Sequence, residues 1–184
     1  MNKRITYFEN IKEDNTEETF KLVEERLTDS GIKKVVLAST TGTTAVKAME
    51  FFKDTGIQLI IIPHQYDFSR TDNPFHRELI SVLEEAGHKV HFGTMLFHTE
   101  KLFGSDIPSV VANFLRCLSE GVKVCYEIVL MASDAGLVEA GEEIVAVAGT
   151  GLGSDTALVI QAASSRNLKK LRISEILCKP WNHR

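Results

Sequence analysis

Six consecutive residues of a kind that can hold an anion lie between a predicted strand and a predicted helix. The strand is the β-branched run 35–37, and apolar residues at helical spacing from 45 to 52 predict the helix. The six residues are Ser39, Thr40, Thr41, Gly42, Thr43 and Thr44. The first N–H groups of a helix lack intrahelical partners and carry partial positive charge, so hydroxyls and a glycine there suit a phosphate. Ser and Thr are also ordinary helix caps, and a capped turn that binds nothing fits the same pattern.

A glycine-rich segment follows a second predicted buried strand, 144–148. Its candidate binding residues are Gly149, Thr150, Gly151, Gly153, Asp155 and Thr156. The segment is not a nicotinamide-binding fingerprint, because residues 157–160 have a β-type pattern and the third glycine comes too early. Successive N–H groups and hydroxyls can still cradle an oxyanion. A tight turn between two strands is the alternative interpretation.

His64 is the titratable side chain that best suits a role at a ligand, because it closely follows the predicted strand 57–62. A loop histidine with only local hydrogen bonds is the alternative. Lys47 can add positive charge to a phosphate site, although an exposed helix face is the favoured interpretation. The sequence has no nucleophile–base motif, so we assign no catalytic residue. The other histidines show no ligand spacing, and we predict no structural metal.

The elements that must position these residues alternate between strand and helix patterns within a single domain, 1–184. Residues 57–62 form an uninterrupted apolar run, which is typical of a parallel strand buried on both faces. In such sheets, ligands bind beyond the carboxyl ends of the strands. Asn15 with Glu18 predicts a capping box, and Pro74 predicts the first turn of a helix reaching Ala86.

The segment 122–137 predicts a helix that is apolar on nearly all sides. Such a helix fits burial within the monomer or at the interface of a homo-oligomer, and its periodicity does not choose between them. Within it, Asp134 is expected to face solvent. Glu127 is expected to face solvent, to pair with a cation or to line a site, because an unpaired buried charge is costly.

Composition excludes several classes of protein. The 184 residues carry a net charge of -4 with a pI near 5.9, and without a basic tract this argues against a nucleic-acid partner. No apolar run reaches membrane-spanning length, and the first residues lack the apolar region of a secretory signal. Three cysteines without a C-x-x-C pair suit a reducing compartment. We therefore predict a cytoplasmic protein with no membrane partner.

The chain resembles the pyruvate kinase C-terminal-domain-like family, also called the pyruvate kinase α/β domain. The turn at 39–44 is similar to the one that holds a phosphate of the sugar-bisphosphate effector in pyruvate kinase. The segments that carry the wider resemblance are 7–9, 15–19, 38–42, 124–136, 149–157 and 173–180.

The resemblance implies a three-layer α/β/α fold with a mainly parallel sheet and without a catalytic barrel. It also implies flavin mononucleotide, FMN, as the cofactor. Pyruvate kinase activity is not expected, since the barrel alone needs roughly 250 residues. Three functions remain: a protein that binds a phosphorylated small molecule, most simply FMN; an enzyme that uses the flavin or a phosphorylated metabolite; and an interaction protein that binds no specific ligand.

Overall fold

The fold was analysed in a computed structural model, which describes residues 2–68 and 72–181. The strands are β1 Thr6–Phe8, β2 Lys34–Ala38, β3 Gln58–Ile62, β4 Lys89–Val90, β5 Glu143–Ala148, β6 Thr156–Gln161 and β7 Arg172–Pro180. The α-helices are α1 Thr16–Thr28, α2 Thr43–Phe51, α3 Glu78–Glu85, α4 Glu100–Phe103, α5 Ile107–Arg116 and α6 Glu120–Asp134. Short 3-10 helices span Leu96–His98 and Ser165–Lys170.

The strands form one sheet in the order β1-β7-β6-β5-β2-β3-β4. β5, β2, β3 and β4 are parallel neighbours, and β1 is parallel to β7. Among the described strands, β6 alone runs against its neighbours, β5 and β7. The predicted mainly parallel sheet of an α/β fold is therefore confirmed.

Alternating side chains of the central strands build a core on each face of the sheet. Val35 and Leu37 of β2 pack in the same cluster as buried residues of α1 and α2. Val36, between them, points to the other face and joins buried residues of α6. This alternation follows from the two-residue period of a strand. It produces the three layers that the family resemblance implied.

The predicted start of α1 is confirmed but its predicted capping contact is not, and the predicted start of α3 is wrong. Asn15 lies at the cap position of α1, but its side chain donates to the carbonyls of Asn10 and Glu13 instead of capping the helix. The Asp14 carboxylate accepts the Thr16 N–H at 3.1 Å and takes over that task. The helix predicted from Pro74 begins only at Glu78.

The helix predicted at 122–137 is α6, and it is buried within the monomer. Ten of its residues are buried, among them Lys123 and Glu127. Asp134 is exposed at its end, as predicted, and accepts the Ser165 N–H. Within the part of the chain that the structure describes, no helix is both long enough and apolar enough to cross a membrane.

Candidate functional site

A cleft of about 520 Å³ opens where β2, β3 and β5 end. After β2 the chain adds β3 to one edge of β2, and later it adds β5 to the opposite edge of β2. The connections that follow these strands therefore diverge at this point of the sheet. Such a switch point leaves a crevice beyond the carboxyl ends of the strands. Ten of the residues predicted as a site line this cleft: Ser39, Thr40, Thr41, Thr43, Thr44, His64, Gly149, Thr150, Gly151 and Gly153. Gly42, Asp155 and Thr156 do not line it.

The turn between β2 and α2 is partly a cap and partly open to the cleft. The buried Ser39 hydroxyl accepts the Ala45 N–H at 3.2 Å, which is a capping contact. The hydroxyls of Thr41 and Thr43 are exposed and lie 3.0 Å apart. The Thr44 N–H lies in the first turn of α2 and has no intrahelical acceptor by position. The Thr41 hydroxyl also accepts the Thr43 N–H, at 3.4 Å. Capping therefore buries the Ser39 hydroxyl, whereas the threonine side chains stay on the cleft.

Gly42 shapes the turn through its backbone conformation, without lining the cleft. Its φ of 98° lies in the left-handed region, which favours glycine. A Cβ at this position would also overlap the Leu79 side chain. Gly42 is thus required for the shape of the turn, although it does not line the cleft.

The glycine-rich segment connects the antiparallel strands β5 and β6, so its topology is that of the predicted alternative, a turn between strands. It nevertheless forms one wall of the cleft. Asp155 holds the turn from behind: one carboxylate oxygen accepts the Thr150 N–H at 2.9 Å, and the other accepts the Thr156 hydroxyl at 2.7 Å. The Thr150 hydroxyl oxygen is buried and has no hydrogen-bond partner among the described residues.

His64 is half-buried at the cleft, with Nε2 3.4 Å from the Thr40 hydroxyl. Burial lowers the pKa of His64, and the nearby His98 and Lys123 lower it further against the opposing effect of Glu127. The imidazole is therefore neutral at pH 7. It contributes a hydrogen-bonding nitrogen to the cleft rather than a positive charge.

Three carboxylates also line the cleft, and each is paired with a cation. Asp14 accepts from Lys47 at 2.5 Å, Glu120 from Arg116 at 2.6 Å, and Glu127 from Lys123 at 2.7 Å. Lys47 lines the cleft itself. Its hydrogen bond to Asp14, assisted by Thr16, lowers the pKa of that carboxyl to about 2.

Lys47 is exposed, as the sequence predicted, but its side chain also reaches the cleft. Asp14 carried no sequence signal for this site, because only the packing of α1 beside α2 brings it to Lys47. Helix α6 presents one stripe to the cleft, at the spacing of a single helical face: Glu120, Val124, Glu127, Ile128 and Met131. In the sequence, the isolated Glu127 within an apolar segment was the feature that indicated a wall of the site on this helix.

A family model described as "Pyruvate kinase, alpha/beta domain" matches residues 17–160. A solved structure of a pyruvate kinase from Cryptosporidium parvum is similar at 18% identity and a TM-score of 0.40, covering 76% of this chain and 21% of that one. Another, of Cryptosporidium parvum pyruvate kinase in complex with ADP, gives 19% identity and a TM-score of 0.39, covering 76% and 22%. This chain thus spans about a fifth of the length of those proteins.

Proposed function

The chain belongs to the pyruvate kinase alpha/beta domain family, and from its cleft we propose that it binds a phosphorylated small molecule at the turn 39–44. We propose FMN as the leading ligand, and no pyruvate kinase activity for this segment alone. The observation that carries the proposal is the meeting of three threonine hydroxyls, the start of α2 and Lys47 on one cleft. The hydroxyls are those of Thr40, Thr41 and Thr43.

Each of these groups offers a hydrogen bond or charge that a phosphate can use. The N–H groups at the start of α2 point along the axis of the helix dipole, where anions are stabilised. Lys47 supplies a positive charge. Its ammonium, which is paired with Asp14, needs to move only a short distance to reach a bound phosphate, since both residues line the same cleft. Hydrogen bonds to a charged partner are stronger than those between neutral groups.

The remainder of the cleft supports a ligand with a flat apolar part. Its volume lies within the range of small-molecule sites, which are mostly apolar with a few placed polar groups. Its apolar lining includes Ile62, Pro63, Met95, Val124, Ile128 and Met131. Methionine and branched aliphatic side chains are well suited to cover an aromatic ring.

A second candidate function is an enzyme that uses FMN or acts on a phosphorylated metabolite. It is favoured by one observation: a neutral histidine, His64, and an ionised carboxylate, Glu127, line the same cleft. Such side chains can act as general bases that accept a proton from a substrate and then, once protonated, as general acids that return it. Oxidation of a reduced pyridine nucleotide with FMN present would support the flavin enzyme. Stoichiometric FMN binding without turnover would favour a binding protein.

The double variant Thr41→Ala/Thr43→Val is expected to weaken binding of inorganic phosphate and of FMN at least tenfold. Each lost hydrogen bond to a charged group costs about 1.5–3 kcal/mol, and about 1.4 kcal/mol corresponds to a factor of ten. The fold should persist, because both hydroxyls are exposed. Isothermal titration calorimetry measures the dissociation constants, and the melting temperature without ligand checks the fold.

The matched control is Thr28→Ala, which removes an exposed hydroxyl that donates, among the described residues, to the Glu24 carbonyl of its own helix. This variant should bind both ligands like the wild type. Equal affinities of the double variant and the wild type would overturn the phosphate site.

A further inference from the structure

The wall of the cleft that α6 forms carries a buried carboxylate, whereas the wall that the turn 39–44 forms carries hydroxyls. Glu127 is 2% exposed and lines the cleft. One of its oxygens accepts the Phe97 N–H at 2.8 Å and lies 3.5 Å from His98 Nδ1, and the other accepts Lys123 Nζ at 2.7 Å. An ionised carboxylate has about four acceptor positions, so these three contacts still leave part of its capacity unused. Because the side chain is otherwise buried, the cleft is where a further donor can reach it.

Glu127 is held ionised in spite of its burial. Burial by itself raises the pKa of Glu127, but His98, Lys123 and the Phe97 N–H together outweigh it and lower the pKa. An ionised carboxylate accepts hydrogen bonds and donates none. It therefore attracts N–H or O–H groups of a ligand and repels carbonyl oxygens and anions.

Helices α2 and α6 lie on opposite faces of the sheet, and both reach the cleft at its edge. We infer that the cleft is bipolar: α2 holds the phosphate, and Glu127 accepts a hydrogen bond from an N–H or O–H group at the other end of the same ligand. This inference rests on the proposed function. It narrows the ligand class to phosphorylated molecules with a donor at their far end, such as the ring imide of FMN.

Glu127→Gln tests the inference, with three probes: inorganic phosphate, FMN, and FMN methylated at its ring imide nitrogen. We expect the wild type to bind FMN about tenfold more tightly than the methylated form, because methylation removes the donor. The variant should bind FMN about tenfold more weakly and lose the preference between the two flavins. Its affinity for inorganic phosphate should equal that of the wild type.

The outcomes separate the inference from the proposed function. If the wild type binds neither phosphate nor FMN, the proposed function fails. If both bind, two results would overturn the bipolar cleft. One is that Glu127→Gln still prefers FMN to its methylated form as strongly as the wild type does; the other is that it weakens the binding of phosphate as much as that of FMN. Because the variant leaves Lys123 without its carboxylate, Lys123→Met/Glu127→Leu is measured beside it. This double variant removes both charges, and it too should bind phosphate normally without preferring FMN to its methylated form.

A separate surface carries a second inference. Helices α4 and α5, together with the second residue after α5, expose an apolar face. It consists of Leu102, Phe103, Ile107, Val110, Phe114 and Leu118. Phe103 and Phe114 are 73% and 76% exposed. On its inner side, α5 already packs through Ala112 and Leu115 against Phe97. The exposed face is therefore additional to the one that the monomer uses.

The size and spacing of this apolar face fit a second copy of the chain. At their exposed fractions of 43–76%, the six residues present on the order of 800 Å² to solvent, which is about one partner's share of a standard interface and exceeds the largest patch of a typical monomer. Within α5, Ile107, Val110 and Phe114 follow one another at intervals of three and four residues, the spacing of a helix-pairing seam, and Phe103 at the end of α4 extends the exposed apolar face. We propose that two copies pair through this face about a twofold axis, which lets one patch cover itself.

Sedimentation equilibrium on the full chain tests the pairing. The wild type should be a dimer at micromolar concentration, and Phe114→Glu should be a monomer with a similar melting temperature. Val82→Glu, at an exposed apolar residue of α3, is the matched control and should remain a dimer. A monomeric wild type, or a dimer that survives Phe114→Glu, would overturn the proposal.

Discussion

Replacement of Lys123 by methionine is expected to lower the free energy of unfolding by about 3–5 kcal/mol at pH 7. Lys123 is 1% exposed and pairs with the equally buried Glu127, and its ammonium lies 5.7 Å from the centre of the Phe97 ring. The variant leaves a buried carboxylate without the ammonium that donates a 2.7 Å hydrogen bond to it. Denaturation by urea, followed by circular dichroism, measures the loss.

Two controls show whether the effect comes from the buried pair. Lys123→Met/Glu127→Leu removes both charges and should recover most of the loss, because an apolar pair can replace a buried ion pair. Lys21 and Glu17 form a pair at the same spacing on the surface of α1, and Lys21→Met should change stability little. A loss of equal size in Lys21→Met would contradict the role of burial.

The loss of stability in Lys123→Met should depend on pH, and the direction of that dependence follows from the pKa of Glu127. In the wild type the pKa of Glu127 is lowered by folding, so its contribution to stability is complete above the unfolded pKa and is lost as pH falls through the folded pKa. In Lys123→Met, burial is opposed by fewer partners and the pKa of Glu127 rises. The difference in stability between variant and wild type should therefore shrink as the pH is lowered from 7 toward 4. A difference that stays constant over this range would show that lost packing, rather than charge, causes the destabilisation.

Lys47→Met is expected to weaken the binding of inorganic phosphate and FMN by about ten- to a hundredfold, since a charged hydrogen bond to the ligand is worth about 1.5–3 kcal/mol. Asp14→Asn should act in the opposite direction. It removes a negative charge from the cleft and releases Lys47, while the remaining oxygen can still accept the Thr16 N–H. Calorimetric titration at fixed ionic strength measures both changes.

The matched control for Lys47→Met is Lys53→Met, which removes an exposed lysine just beyond the far end of α2. This variant should bind like the wild type, because the proposed site lies at the start of that helix. Equal weakening by Lys47→Met and Lys53→Met would indicate a general effect of net charge. Unchanged binding in Lys47→Met would remove this lysine from the phosphate site.

The sequence predicted the central strands and the turn after β2 because their signals are local. The β-branched run at 57–62 alone favours a buried parallel strand, and its observed counterpart β3 has four buried residues. In the same way, the hydroxyls and glycine at 39–44 predicted the start of α2, and Gly42 lies at its cap position. The helix predicted from Pro74 was wrong at its start, where no strong local cap marks Glu78.

The opposite wall of the cleft could not be predicted in the same way. Asp14 and Lys47 are 33 residues apart, and Phe97 and Glu127 are 30 apart, so these contacts depend on how the helices pack on the sheet. The central parallel strands and the hydroxyl-rich turn after β2 were predictable from the sequence, because each depends on residues close together in the chain. Which charges face that turn, and that Glu127 is paired at the cleft, follow from the packing of the layers, because side chains distant in sequence meet only when the layers assemble.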